Sequence, residues 1–421
     1  QLVETRQSTK AVTEILKTMF SETEIVYVKA GLASDFKHAY GIVKSREIND
    51  LHHAKDAYLN IVCGNVYHCK FTKNFFLKNQ TYSIKTETVY KNPIKIGEEV
   101  IWNGQESISK VLHTVSKNNV HYTRYAFCRK GGFFDQMPVP AKEGLVPRKS
   151  GLDTARYGGY NKTTASFFIM TRYIEKKKKE KREMMLVPVD LMVADQVLKD
   201  KNYAIGYLRK EIAEITNCRE EEITQLDFPM GLKPLKINTR FKFDGFEMCL
   251  TGKSGGGRQL CFASATPLII AQEQERYIKR IASFIEKNRN NAKITPDEEH
   301  DHISRNENIK IYDILRGKLN TSVYKKIFSS QKNVFECGID SFEALDIQQQ
   351  CSLLLNIVDM YKTGRASKCD FSMIGGSPNA ASLLQSSKLS NWCKSYNVVT
   401  IINESASGIY RQESDNILEW L

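Results

Sequence analysis

The sequence predicts a mixed fold of α/β and α+β class, divided over more than one domain, and three observations support this. The chain has 421 residues, which at roughly 100–200 residues per domain is enough for two to four domains. Residues 1–130 alternate between helical and short apolar strand patterns, whereas residues 131–421 combine long hairpin candidates with helices. A segment rich in glycine, proline and basic residues separates the two regions and places the main boundary near Gly131.

The composition is that of a globular protein with a basic surface. Hydrophobic residues make up 41% and charged residues 26% of the chain, which excludes disordered and fibrous classes. The 61 Lys and Arg exceed the 48 Asp and Glu and give a net charge of +13. This excess of positive charge favours a polyanionic partner such as nucleic acid. The alternative is that the charge serves only to keep the protein soluble. No stretch approaches the roughly 18 apolar residues of a membrane helix, so we expect no membrane partner.

The ten cysteines are scattered, and no two of them form a CxxC pair. Zinc sites usually contain such close pairs, and a disulfide framework is untypical of a chain this long. We therefore interpret the cysteines as reduced thiols in the core of a cytosolic protein.

Periodicity predicts five elements in the first region. These are helices at Gln1–Phe20, His52–Val66 and Ile108–Val115, and strands at Ile25–Ala30 and Gly41–Lys44. Asp50 is the expected N-cap of the second helix. Because the chain opens on an amphipathic helix with no strand before it, we expect a fragment or one part of a split polypeptide.

The second region is predicted to contain two hairpins, several helices and a late strand. The hairpins pair Ser166–Ile174 with Met184–Pro188 and Leu235–Leu250 with Arg258–Ser264; the helices cover Ala204–Thr216, Pro267–Asn288, 296–333 and 341–362; the strand covers Val398–Asn403. We expect the core to include Tyr58, Ile61, Trp102, Phe167, Phe243 and the aliphatic stripe of residues 268–285.

One constellation on the predicted helix after Asp50 points to chemistry. His53 and Asp56 are three residues apart, so both can face one groove beside His52. A carboxylate can hold a divalent cation, and an imidazole can take a proton from an attacking water. The spacing alone is more often structural, and a two-metal site needs three or four acidic ligands. Any further ligands would have to lie outside this chain.

Three other motifs are more typical of ordinary structural features than of binding sites. The lysine run Lys176–Lys179 is more typical of a solvated hairpin tip than of a phosphate site. Gly252–Gly257 contains Gly-Lys-Ser but lies between two strands, which favours a turn over a nucleotide loop. His300–His302 lies in a polar stretch and is expected at the surface.

Taken together, ordered segments resemble the C-terminal part of the type II CRISPR effector, the RNA-guided DNA endonuclease. The segment Arg46–Gly64, with HHAKDAYLN, is similar to the family's third RuvC motif. The segments QLVETRQ, IGEEVIW, VLHTVSKNNV, GGFF, ARYGGYNKTTASFFI, RQLCFASA and IINESASGIY follow in the family's order.

The resemblance implies that residues 1–130 complete a ribonuclease-H-like (RuvC) nuclease domain that cuts the non-target strand. It implies His53 as the general base, Asp56 as a ligand of Mg²⁺ or Mn²⁺, and His52 as a supporting neighbour. The family's other carboxylates and its HNH domain are absent from this sequence, so we expect the chain to be inactive by itself.

The resemblance also implies a mixed α+β PAM-interacting domain, with a topoisomerase-like part at 131–235 and a C-terminal part at 236–421. In the resembled family the protein itself reads the PAM, a short duplex motif, whereas guide pairing reads the remaining sequence. The PAM-reading window, residues 382–391, has no arginine, and its polar candidates are Gln385, Ser387, Lys388 and Asn391. Gln and Asn suit adenine edges and Lys suits guanine, so we expect a PAM other than plain NGG. The candidates for duplex or phosphate contacts are Asp135, Gln136, Met137, Asn161, Lys162, Thr266 and Pro267.

The partners that the resemblance implies are a guide RNA, a target DNA duplex with its PAM, and the N-terminal remainder of the nuclease, in the cytoplasm of a bacterium. An anti-CRISPR inhibitor protein is a further compatible partner. Two alternatives stay open: a non-catalytic module that binds the PAM and guide RNA, and, less favoured, an independent resolvase or transposase.

Overall fold

A computed structural model describes residues 2–71, 86–116, 123–130, 138–143, 145–149, 151–160, 164–176, 181–287, 296–297, 299–363, 369–378 and 383–421. The chain divides into two compact units. Unit 1 comprises residues 1–120 and 269–276, and unit 2 comprises residues 121–268 and 277–421.

Unit 1 is mainly helical. Its elements are α1 (Leu2–Met19), α2 (Ala30–Ala39), α3 (His52–Phe71), α4 (Thr86–Lys91), β1 (Pro93–Ile96), β2 (Glu99–Asn103) and α5 (Gln105–Ser116). Strands β1 and β2 form an antiparallel pair. The three predicted helices of this region are confirmed, with α3 five residues longer than expected. The ribonuclease-H-like fold stays a prediction, because the described part of unit 1 contains this one two-stranded ladder.

Both strands predicted near the start of unit 1 are wrong. Residues 25–29 are irregular chain with no ladder partner among the described residues, and Ala30 already begins α2. Residues 42–45 likewise follow α2 as irregular chain. An apolar β-branched run needs a neighbouring strand to become a sheet element. Val28 packs instead against α3, where a Cβ at Gly64 would overlap its Cγ2 atom.

The core of unit 1 forms where α2, α3, α4 and α5 meet. Phe36, Leu59 and Ile108 are fully buried there, and Trp102 donates its indole N–H to the Tyr90 carbonyl oxygen at 2.7 Å. One prediction about burial is wrong, because Ile61 was expected in the core but is 63% exposed. The apolar face of α1 is also exposed, at Ile15. Helical spacing identifies an apolar face without identifying what covers it.

Unit 2 contains most of the sheet structure. Its strands are β3 (Val146–Pro147), β4 (Gly159–Tyr160), β5 (Ala165–Glu175), β6 (Lys181–Asp190), β7 (Ile223–Asp227), β8 (Leu235–Lys236), β9 (Arg240–Phe243), β10 (Phe246–Lys253), β11 (Gln259–Ser264), β12 (Leu384–Ser386), β13 (Val399–Glu404) and β14 (Arg411–Glu413). Its helices are α6 (Thr154–Tyr157), α7 (Ala194–Lys199), α8 (Lys201–Thr216), α9 (Gln272–Lys287, whose first turn groups with unit 1), α10 (Arg305–Lys318), α11 (Ser322–Ile327), α12 (Ser329–Cys337), α13 (Ile339–Ala344) and α14 (Ile347–Thr363).

One sheet of unit 2 has the strand order β6-β5-β7, with β8 also paired to β5. The long β5–β6 hairpin confirms the first hairpin prediction, and it runs in register from Phe167 opposite Val189 to Glu175 opposite Lys181. Helix α8 covers one face, where Leu208 and Ile212 are fully buried. Its N-cap Asp200 accepts hydrogen bonds from the amides of Asn202 and Tyr203, as a capping carboxylate should.

The other large sheet has six antiparallel strands in the order β12-β11-β10-β9-β13-β14. Its β10–β11 hairpin confirms the turn interpretation of Gly252–Gly257. The predicted long strand Leu235–Leu250 is wrong, because Leu235–Lys236 forms β8 in the other sheet and a two-residue turn at Asp244-Gly245 separates β9 from β10. Both turn residues have positive φ, 43° and 93°, which Asp-Gly turns accommodate. Phe241, Phe243 and Trp392 pack together on this sheet.

Between β11 and β12 the chain forms helices α9 to α14. Helices α10 and α14 pack together, and the buried Asn308 amide donates to Gln350 Oε1 at 3.2 Å. All ten cysteines are unpaired thiols, of which Cys63, Cys249, Cys351 and Cys369 are buried, whereas Cys337 and Cys393 are exposed, against the expectation of core thiols. No helix among the described residues has the length and apolar character needed to cross a bilayer.

Candidate functional site

Helix α3 begins with the two histidines of the predicted nuclease motif. His52 is buried and its Nδ1 lies 3.0 Å from the Asn49 carbonyl oxygen, while His53 is exposed. The two imidazole rings lie 4.1 Å apart between centroids. Burial lowers the pKa of His52. The buried ring of His52 therefore packs against the exposed ring of His53.

Asp56 lies one helical turn beyond His53, and two lysines hold its carboxylate. Lys37 Nζ, from α2, donates to Oδ1 at 2.6 Å, and Lys44 Nζ donates to Oδ2. Partial burial would raise the pKa of Asp56, but the hydrogen bonds from Lys37 and Lys44 outweigh it and lower that pKa. Both lysines were missed from the sequence, because no spacing motif connects them with α3.

Lys55, which lies between His53 and Asp56 in the sequence, connects α3 with the first turn of α9. Lys55 is 8% exposed and its Nζ lies 3.8 Å from Oε2 of Glu275, which is also buried. Ser45 Oγ donates to the Glu275 carbonyl oxygen at 3.3 Å, and Arg276 donates to the Gly41 carbonyl oxygen at 2.6 Å. These contacts lie within unit 1 and fix the chain that carries Lys44.

The residues present do not by themselves fit a divalent cation at Asp56. Its two oxygens are engaged by two ammonium groups, so the local charge is already positive, whereas Mg²⁺ requires oxygen ligands from several groups. The described groups close enough to share an ion are Asp50, His52 and His53, whose ligand atoms lie within 4.8 Å of one another. Asp56 is not part of that group.

The predicted PAM-reading window forms β12 and a following 3₁₀-helix at Leu389–Lys394. Gln385 donates its side-chain amide to the Tyr396 hydroxyl at 3.0 Å. Ser387 is 1% exposed and donates its hydroxyl to the Arg258 carbonyl oxygen at 3.1 Å. Lys388 Nζ lies 3.6 Å from Oε2 of the buried Glu175. Of the four candidates, the structure leaves Asn391 exposed.

Two buried carboxylates of the β5–β6 hairpin lie against this window, and the sequence reasoning missed both. Glu175 is 3% exposed and Glu183 is 5% exposed. Glu183 Oε2 accepts a hydrogen bond from Ser390 Oγ at 2.7 Å. The sequence offers little signal for them, because both lie near the lysine-rich end of the hairpin, where a carboxylate is usually exposed.

The remaining candidates have mixed outcomes. Thr266 is half-buried, its amide donates to Ser264 Oγ at 3.2 Å, and Pro267 beside it is half-buried as well. Asp135, Gln136, Met137, Asn161 and Lys162 lie outside the described residues, as does the tip of the β5–β6 hairpin. His300 is exposed and its Nδ1 lies 2.6 Å from Asp297 Oδ2, as expected for a surface residue.

Comparison with known protein families identifies the chain. The family model described as the PAM-interacting domain of CRISPR-associated endonuclease Cas9 matches residues 130–412. The chain belongs to the Cas9 family. A second family model, the Cas9 RuvC domain, matches residues 6–73 and so includes the Cas9 segment that carries His53 and Asp56.

Two curated relatives share this Cas9 identity, and both are named CRISPR-associated endonuclease Cas9. The protein of Streptococcus mutans serotype c is 30% identical over 267 residues, which is 54% of this chain and 19% of the relative. The protein of Listeria innocua serovar 6a is 27% identical over 241 residues, which is 48% of this chain and 18% of the relative. The chain therefore spans about a fifth of the length of these Cas9 relatives.

Proposed function

We propose that the chain is the C-terminal portion of an RNA-guided DNA endonuclease of antiviral defence. It would supply part of the RuvC site for cutting the non-target strand, and it would recognise the PAM duplex. The observation that carries this proposal is the match of the RuvC and PAM-interacting models, in that order, to this one chain. Its partners would be a guide RNA, the target duplex and the remainder of the nuclease, in a bacterial cytoplasm.

In this proposal the residues of α3 have separate roles. The exposed His53 would accept a proton from the attacking water, and His52 would hold it in place by ring contact. Asp56 would become a ligand of Mg²⁺ or Mn²⁺ in the complete nuclease, together with carboxylates from outside this chain. Since Lys37 and Lys44 engage Asp56 here, the site would have to rearrange during assembly.

The proposed domain division follows the expected one. Residues 1–130 would belong to the ribonuclease-H-like nuclease domain, 131–235 to the topoisomerase-like part and 236–421 to the C-terminal part of the PAM-interacting domain. Residues 382–391 would read the PAM, with phosphate and duplex contacts from the loop after Gly131 and from Thr266 and Pro267.

One observation favours a second function for the chain by itself, a binding module that does not cut. The lysine pair engages both oxygens of Asp56 in this chain, and Asp56 belongs to no group of three or more possible metal ligands among the described residues. We therefore expect no cleavage by the isolated chain, although it would bind guide RNA and duplex DNA.

Strand-resolved cleavage of a guide-matched duplex tests the nuclease roles. In the complete, guide-loaded protein with Mg²⁺, Asp56→Ala should abolish cutting of the non-target strand and leave DNA binding nearly unchanged. Asp195→Ala, which removes an exposed carboxylate on α7, is the matched control and should cut normally. Normal cutting of both strands by Asp56→Ala would contradict the proposed role of Asp56.

A complementation experiment separates the two functions. The isolated chain and the chain mixed with the missing portion and guide RNA are compared in the same assay. Cleavage only in the mixture supports a shared nuclease site, whereas cleavage by the isolated chain would refute the need for outside ligands.

A further inference from the structure

The window at residues 384–391 contacts Glu175 and Glu183, two buried carboxylates in a protein with an excess of positive charge. A buried carboxylate costs several kcal/mol unless it is paired and hydrogen-bonded, and it also repels DNA phosphates. Both carboxylates contact the stretch Lys388–Ser390 of the window. Glu175 also accepts a hydrogen bond from Cys218 Sγ, and Glu183 also pairs with Lys181. The contacts with the window point to a positioning role, which rests on the proposed PAM-reading function.

The two carboxylates contact the residues on either side of Leu389. Glu183 accepts hydrogen bonds from Ser390 at both the hydroxyl, 2.7 Å, and the amide, 3.3 Å, and so caps the 3₁₀-helix at Leu389–Lys394. Glu175 holds the Lys388 ammonium at 3.6 Å. Lys388 is therefore turned toward the protein interior in this structure, where it cannot meet a base edge.

Backbone hydrogen bonds hold the same stretch from two sides. The Leu186 amide of β6 donates to the Ser387 carbonyl oxygen at 3.0 Å, and the Ser387 amide donates to the Arg258 carbonyl oxygen at 3.0 Å. Trp392 is 1% exposed, and its indole N–H donates to the Ser386 carbonyl oxygen at 2.7 Å. The turn at residues 386–392 is thus fixed in position before any DNA binds.

Asn391 is the exposed residue that this turn presents. Its Nδ2 donates one hydrogen to Ser386 Oγ at 2.9 Å, and its Oδ1 accepts from Lys394 Nζ at 3.2 Å. An asparagine amide has two hydrogens and two oxygen lone pairs. One hydrogen and one lone pair therefore stay without a partner among the described residues, on an amide whose orientation is already set.

We propose that Asn391 reads an adenine of the PAM in the major groove and that Glu175 and Glu183 are its positioning residues. The remaining amide hydrogen would donate to adenine N7, and the remaining lone pair would accept from the adenine N6 amino group. Ser387 and Lys388 then support the turn and do not contact bases. The PAM would contain adenine at the position that faces Asn391.

The test is a PAM profile from a randomised duplex library, measured on the complete, guide-loaded protein. Asn391→Ala should relax the preference for adenine at one PAM position by about 5- to 150-fold, the loss of one bidentate contact. Glu183→Gln and Ser390→Ala, which weaken the same contact from its two ends, should relax that same position and leave the others unchanged. Glu413→Gln, in an exposed ion pair with Lys242 on the same sheet, is the matched control.

The outcomes are distinct. Relaxation of one shared position supports the proposal, because a merely structural loss would weaken binding to all sequences equally. An unchanged profile for Asn391→Ala would overturn the reading role. A uniform loss, or no change, with both Glu183→Gln and Ser390→Ala would overturn the positioning role. A wild-type protein without any PAM preference would refute the proposed function itself, and this inference with it.

Discussion

Glu211 on α8 provides a pH-dependent test of how unit 2 is built. Burial, followed by the negative charge of Asp190, raises the pKa of Glu211 from 4.5 to about 7, although Lys253 opposes the shift. Asp190 accepts a hydrogen bond from Lys253 Nζ at 2.8 Å, so that cation already has a carboxylate partner. In the folded chain Glu211 therefore keeps its proton up to about pH 7 and loses it above that value.

The sign of the effect follows from proton binding in the two states. Below pH 4.5 the carboxyl is protonated both in the folded and in the unfolded chain, and it causes no penalty. Between pH 4.5 and about 7 the unfolded chain releases its proton first, so the free energy of unfolding falls as pH rises. At about 1.4 kcal/mol per pH unit the full loss is about 3 kcal/mol, which solvent screening of this partly exposed side chain reduces to about 2 kcal/mol.

Glu211→Gln removes this ionisation and should stabilise unit 2 by about 2 kcal/mol at pH 8 and by almost nothing at pH 4.5. Hydrogen exchange of the α8 peptide across a urea series measures the difference, with variant and wild type compared at equal pH so that intrinsic exchange rates cancel. Glu214→Gln, on the exposed face of the same helix, should show no such trend. A stabilisation by Glu211→Gln that is independent of pH would refute the reasoning.

Three further predictions concern unit 1 and the whole chain. Lys55→Met leaves the buried Glu275 unpaired and should destabilise unit 1 by about 3–5 kcal/mol, as measured by urea-dependent hydrogen exchange of α3. The double variant Lys55→Met with Glu275→Leu should recover most of this loss of stability, and no recovery would contradict the pairing. Gly64→Ala should lower the stability of unit 1 by about 1–3 kcal/mol in the same assay, because the added Cβ overlaps Val28. Adding Val28→Ala should remove the overlap and reduce this loss. An equal loss of stability with and without Val28→Ala would show that the overlap is not the cause. Duplex binding by the isolated chain should weaken steeply between 50 and 200 mM salt, by about 10³-fold or more for six phosphate contacts, and salt-independent affinity would contradict phosphate-dominated binding.

The sequence predicted those elements whose pattern is local. Helices α3 and α8 and the β5–β6 hairpin have local apolar patterns that extend over ten or more residues, so their type could be assigned from the sequence. The Asp244-Gly245 turn was also encoded locally, but the apolar residues on both sides of it resembled one continuous strand. Residues 25–29 failed for the opposite reason, because a strand depends on a partner that the local sequence does not specify.

The candidate sites were predicted only as far as their motifs extend. The histidines and Asp56 lie within five consecutive residues, so their proximity follows from the helix alone. The lysines around Asp56 come from α2 and from the chain after it, and their arrival depends on tertiary packing. Glu183 and Ser390 are 207 residues apart in sequence, and no single-sequence pattern encodes such a contact.

The order of strands in the six-stranded sheet has a consequence for synthesis. Strand β9 pairs with β10 almost at once, but its other edge is covered only by β13, about 160 residues later. At about 5–20 residues per second a ribosome needs about 10–30 s to make that stretch. During that interval the second edge of β9 is unpaired in the nascent protein. An unpaired edge can pair with another chain and cause aggregation, so this edge is where a chaperone would act. The turn at residues 386–392, proposed above to read the PAM, is made only after α9 to α14, so it forms late in the synthesis of this sheet.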